Sequence, residues 1–109
     1  MSSEDFIAMM SSPELLGNPL ILTQHLIGAA SYECISEDEI SATYQIRAAH
    51  QSYTDSSLEV VAHRGHGHGN VKHWYKRVDG VWKLAGVRPE MYWVEHELSK
   101  IFTRPGNKV

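Results

Sequence analysis

A chain of 109 residues with a formal net charge of −3, taking His as neutral, has room for one hydrophobic core, so a single domain over 1–109 is expected. Its 10 Lys and Arg against 13 Asp and Glu leave no basic surplus for a phosphate backbone, which excludes nucleic acid as a partner. No apolar run nears the roughly 20 residues of a membrane span, and no basic-then-apolar leader opens the chain.

The lone Cys34 rules out an internal disulfide and suits a reducing compartment. A soluble cytoplasmic protein without a membrane partner is the expectation.

In chain order, Ser2 or Ser3 can cap a short helix with Glu4 and Asp5 in its first turn and Phe6, Met9 and Met10 on one face. Pro13 opens a second short turn that Gly17 ends, and Asn18-Pro19 leads into an extended run over 20–27. Residues 29–35 form a further strand. The polar turn Ser36-Glu37-Asp38 joins it to a third, in which Ile40, Ala42, Tyr44, Ile46 and Ala48 alternate with polar residues.

A loop over 53–57 precedes a strand beginning at Leu58, and Asp79-Gly80 closes a hairpin over 75–83. Pro89 should interrupt hydrogen bonding after the last strand, and 94–102 can form a closing helix with Val94, Leu98, Ile101 and Phe102 on one face. The tail 104–108 should fray. Four or five antiparallel strands with two short helices make an α+β fold. Those helices are too small to cover the sheet.

Histidine is the unusual component. There are seven, and this side chain exchanges protons near neutrality or binds metals. His25 interrupts an apolar strand and should line the face opposite Leu26. His50 ends the amphipathic strand. Both fit proton-transfer roles, and both fit the commoner role of a hydrogen-bonded structural histidine.

In Arg64-Gly65-His66-Gly67-His68-Gly69 the two imidazoles share a strand face, the arrangement of a chelating pair, but no third ligand is evident. The alternating glycines read equally as close backbone approach. Tyr32, Tyr44, Tyr53 and Tyr75 can polarise a carbonyl or fill a core.

Taken together, Thr23-Gln24-His25, Ser36-Glu37-Asp38-Glu39, His50-Gln51, Gly65-His66-Gly67-His68, His73-Trp74-Tyr75-Lys76 and Asp79-Gly80-Val81-Trp82-Lys83 resemble the scytalone dehydratase family of fungal polyketide pathways. The likeness continues through Ala85-Gly86, Pro89, Trp93 and Ile101-Phe102.

The resemblance implies an α+β, cone-shaped roll with a curved antiparallel sheet and short flanking helices, usually trimeric. It implies a lyase that dehydrates a hydroxytetralone-like polyketide ring without metal or other cofactor. The family's two working histidines map onto His25 and His50, and its apolar pocket positions onto Pro89, Leu98 and Phe102. Its pocket serine and asparagine fall on Gly69 and Val71, with Asn70 between them. His63 and His96 match no catalytic position.

Family members begin with longer helices carrying two tyrosines and an aspartate of the site, and this chain starts after them. A binding or assembly module is therefore the alternative to an enzyme. A metal-dependent enzyme using His66, His68 and one more histidine, which His25 or His50 could supply, is a third reading.

Overall fold

A computed structural model describes residues 1–102; the expected frayed tail lies outside the described residues. Helix α1 spans Ser3–Met10, and the Ser2 hydroxyl oxygen accepts the Asp5 N–H at 3.1 Å. Of the two serines the sequence offered, Ser2 is the cap. Phe6, Met9 and Met10 are half-buried while the other residues of the helix are exposed. The segment over 11–19 is a run of turns.

Four strands follow: β1 (Ile21–Ser36), β2 (Glu39–Tyr53), β3 (Val61–Val78) and β4 (Val81–His96). They form one sheet in the order β1-β2-β3-β4. Sequence neighbours pair through short connections, which makes the sheet an antiparallel meander. The chain is thus α+β, as its pattern suggested.

Asp79 and Gly80 carry φ values of 52° and 77°, the doubly left-handed turn that matches the twist of paired strands. At the β1–β2 connection, Arg77 Nε donates to Asp38 Oδ1 at 2.8 Å and its second nitrogen to the Glu37 carbonyl at 3.0 Å.

Three expectations need correcting. The extended runs on either side of Gly28 are one strand, β1. A Cβ on Gly28 would stand 3.2 Å from the Gln45 side chain, so this glycine marks close packing and not a strand end. The strand expected from Leu58 starts at Val61, because Leu58 sits in the preceding loop with φ 55°.

Pro89 does not stop β4. The strand continues to His96, and the expected closing helix shrinks to one 3₁₀ turn, Leu98–Lys100. An edge strand tolerates a residue without an N–H on its outer side, and Met91-Tyr92-Trp93-Val94 is rich in residues that fit a pleated surface.

The described chain divides into two compact units. One comprises Met1–Gln24, Ala48–Gly67 and the segment from Val94; the other comprises His25–Arg47 and His68–Trp93. The first has a core of Ile21, Leu98 and Ile101 with Phe102 packed against it. A Cβ on Gly65 would come 2.6 Å from the Leu98 backbone nitrogen, so only glycine lets the 3₁₀ turn lie down on β3.

The second unit buries Ser41, Ala42 and Val71. Trp74 there is flanked by the Lys72 ammonium at 5.1 Å and the Arg88 guanidinium at 5.7 Å from its ring centre.

Candidate functional site

In the first unit the site residue is His50. It is 7% exposed, near the C-terminal end of β2. Its Nδ1 is 2.7 Å from the Thr23 hydroxyl of β1, and its ring meets Phe102 edge-on at 4.9 Å. Phe102 belongs to the cluster that contains Leu98. Strand alternation explains the placement: His50 shares its face with Ala48, also buried, while Ala49 and Gln51 are half-exposed.

The unit therefore brings together His50, Leu98 and Phe102, three of the residues singled out in the sequence. It adds Thr23, whose role sequence reasoning missed. The available signal was its position two residues before His25 on the same strand face.

In the second unit His25 is exposed, as is the whole of β1 after Ile21. Its strand face, opposite Leu26, is thus open to solvent and does not enclose the imidazole. Val71 is buried at 5% exposure, and Pro89 is exposed on β4.

Asn70 stays on the face opposite Val71 and donates through Nδ2 to the Tyr92 hydroxyl at 3.1 Å. On the same face of β3, His68 stacks on Trp93 at 4.5 Å with 7° between the rings. Tyr92 and Trp93, consecutive on β4, thus both contact β3 side chains. A Cβ on Gly69 would collide with the Glu90 carbonyl.

Asn70, His68 and Trp93 line an open depression of about 370 Å³ with Leu26, Ile27 and Arg47. His25, Val71 and Pro89 do not line it.

The second unit also carries a polar chain. The Tyr44 and Tyr75 hydroxyls are 3.0 Å apart, and His73 Nδ1 is 2.9 Å from the Tyr75 hydroxyl. The hydrogen bond with Tyr75, then burial, raises the Tyr44 pKa above the ordinary phenol value, while burial lowers that of His73 below the ordinary imidazole value. Both shifts favour the neutral forms of Tyr44 and His73. Tyr53, in the first unit, donates to Gln51 Oε1 at 2.8 Å.

A sequence model of the family described as Scytalone dehydratase matches residues 1–109. The chain belongs to the scytalone dehydratase family. Among curated relatives of the family, it is 50% identical over 102 residues to a dehydratase of Pestalotiopsis microspora, covering 94% of this chain and 64% of that protein. A dehydratase of Paecilomyces divaricatus is also 50% identical over 94% of this chain, here 59% of the relative. The scytalone dehydratase arp1 of Aspergillus fumigatus is 47% identical over 94% of this chain and 61% of its own length. The chain thus spans about three fifths of these relatives.

Among solved structures, a protein of Kribbella flavida matches with a TM-score of 0.67 at 18% identity, over 84% of this chain and 59% of that one. A type 2 hexachlorocyclohexane dehydrochlorinase (LinA) matches with a TM-score of 0.58, also at 18% identity, over 82% and 57% of the two chains. Identities this low establish a shared α+β fold and nothing further.

Proposed function

We propose that this chain acts as a hydro-lyase of the scytalone dehydratase type, eliminating water from a hydroxylated polyketide-derived ring such as a hydroxytetralone. The observation that carries the reading is the buried His50 imidazole, seated on the Thr23 hydroxyl and walled by Phe102 in a chain of this family. In the family pattern the second proton-transfer residue is His25.

Dehydration of a β-hydroxy ketone moves the acidic α-proton to a base, forms the carbon–carbon double bond, breaks the carbon–oxygen bond and protonates the departing hydroxide to water. His25 takes the α-proton and His50 orients or protonates the leaving hydroxyl. Thr23 engages His50 Nδ1 and orients the ring. Each such proton transfer contributes roughly 10²–10⁴ in rate. Aromatisation drives the reaction forward, and the step calls for no metal or cofactor. Phe102 and Leu98 supply an apolar wall suited to a flat ring. Val71, Pro89 and Asn70 are the binding positions proposed for the second unit.

The exposure of His25 along β1 favours a second reading, a polyketide-binding or assembly module without turnover. Incubation with a hydroxytetralone, followed by the absorbance of the aromatic product, separates the two. The dehydratase reading expects turnover that falls by roughly 10²–10⁴ in His50→Ala and in His25→Ala. Ligand binding without product formation would establish the second reading instead.

A further inference from the structure

The His66-Gly67-His68 segment splits in the fold: His68 stacks on Trp93 in the second unit, while His66 meets the end of β4 in the first. There the ligand atoms of His66, Glu95 and His96 all lie within 4.8 Å of one another. The His66 and His96 rings are 5.3 Å apart and nearly perpendicular, and His96 Nε2 is 3.8 Å from Glu95 Oε2.

Adjacent strand residues point to opposite faces, so Glu95 and His96 should not share a site. His96 evades that rule with φ 62°, a left-handed conformation uncommon outside glycine and worth a functional explanation. It turns the imidazole back to the side of Glu95 and His66. The backbone just beyond is tied to β3, because the Glu97 N–H donates to the Arg64 carbonyl at 2.8 Å. His63 Nδ1 engages Glu97 Oε2 at 2.7 Å, which leaves that pair outside the cluster.

We propose that His66, Glu95 and His96 bind one divalent first-row transition ion, of which zinc is the representative, at a surface site independent of the dehydratase reading. Two imidazoles and one carboxylate form a borderline-soft donor set that suits zinc and its neighbours and disfavours magnesium, which demands oxygen ligands. Ligands about 2.1 Å from a tetrahedral zinc stand roughly 3.4 Å apart, so small rotamer changes close the set. Glu95 and His96 have side-chain exposures of 44% and 40%, which leaves an open path for the ion and room for water in its remaining position.

Equilibrium dialysis of the full chain against zinc chloride, with magnesium chloride in excess, tests the site through elemental analysis and the zinc-induced rise in thermal midpoint. One equivalent is expected, and magnesium should not displace it. Loss of an outer partner of a metal ligand commonly weakens binding about 10- to 100-fold, so loss of a ligand in Glu95→Gln or His96→Asn should cost roughly 10-fold or more. Asparagine tolerates the left-handed backbone, so His96→Asn removes the imidazole without refolding the turn, which circular dichroism checks. His63→Ala and His68→Ala should bind as the parent does. The site is overturned if the parent shows no saturable zinc, if both ligand variants keep parental affinity, or if binding is lost in His68→Ala instead.

Discussion

Thr23 and His50 were drawn from different parts of the sequence, and their 2.7 Å contact decides what His50 can do. A hydrogen bond of this kind is worth about 1 kcal/mol net, so Thr23→Val should slow dehydration by roughly fivefold while circular dichroism stays unchanged, and Thr23→Ser should restore the rate. His25 and His50 were legible as chemistry-bearing because each is an imidazole in an apolar or amphipathic strand. Their burial was not legible, because alternation assigns a face and cannot say whether anything covers it.

His73 gives a residue-scale prediction in pH. Burial lowers its pKa in the folded chain, so the unfolded chain takes up its proton first as pH falls below about 6.5. The associated stability is therefore present above that value and lost on acidification through the lowered folded pKa. Urea midpoints measured from neutral to mildly acidic pH should fall, and the fall should be shallower in His73→Phe.

Among the elements, the β3–β4 hairpin was the clearest in the sequence because an Asp-Gly pair satisfies a local backbone demand. A Cβ on Gly80 would meet no atom within 4 Å, and φ there is 77°. The cost of Gly80→Ala is therefore conformational, about 1–2 kcal/mol, readable as a lower denaturation midpoint. Gly65→Ala should cost more, because the new methyl meets the Leu98 backbone in addition to disturbing the core of Ile21, Leu98 and Ile101. Chemical denaturation of the two variants side by side should rank them in that order.

The closing helix was misread for the converse reason. Apolar spacing over 94–102 fits a helix in isolation, but pairing of β4 with β3 extends the strand to His96 and leaves three residues of 3₁₀ helix. Pro89 looks like a stop only until β4 is known to be an edge strand.

At the scale of the molecule, the sheet leaves large apolar side chains open to water. Leu22, Leu26, Ile27, Leu84, Tyr92 and Trp93 are each at least half exposed, a larger apolar presentation than monomers commonly leave to water. We propose that copies of the chain self-associate, as a trimer by family analogy. Light scattering at micromolar concentration should give a mass well above that of one chain; a stable monomer would defeat the idea.

Among the described residues, no helix is long and apolar enough to cross a membrane. The sequence by itself determined the capped start of α1, the antiparallel strands of an α+β fold, the Asp79-Gly80 turn and the family, because each rests on local backbone preference or on residue identity in order. Only the tertiary structure decided that β1 is continuous and exposed, that Thr23 holds His50, and that His66 meets Glu95 and His96 while His68 does not join them. Those outcomes depend on which strands pair and where backbones touch, and contacts between residues distant in the chain leave no periodic trace in it.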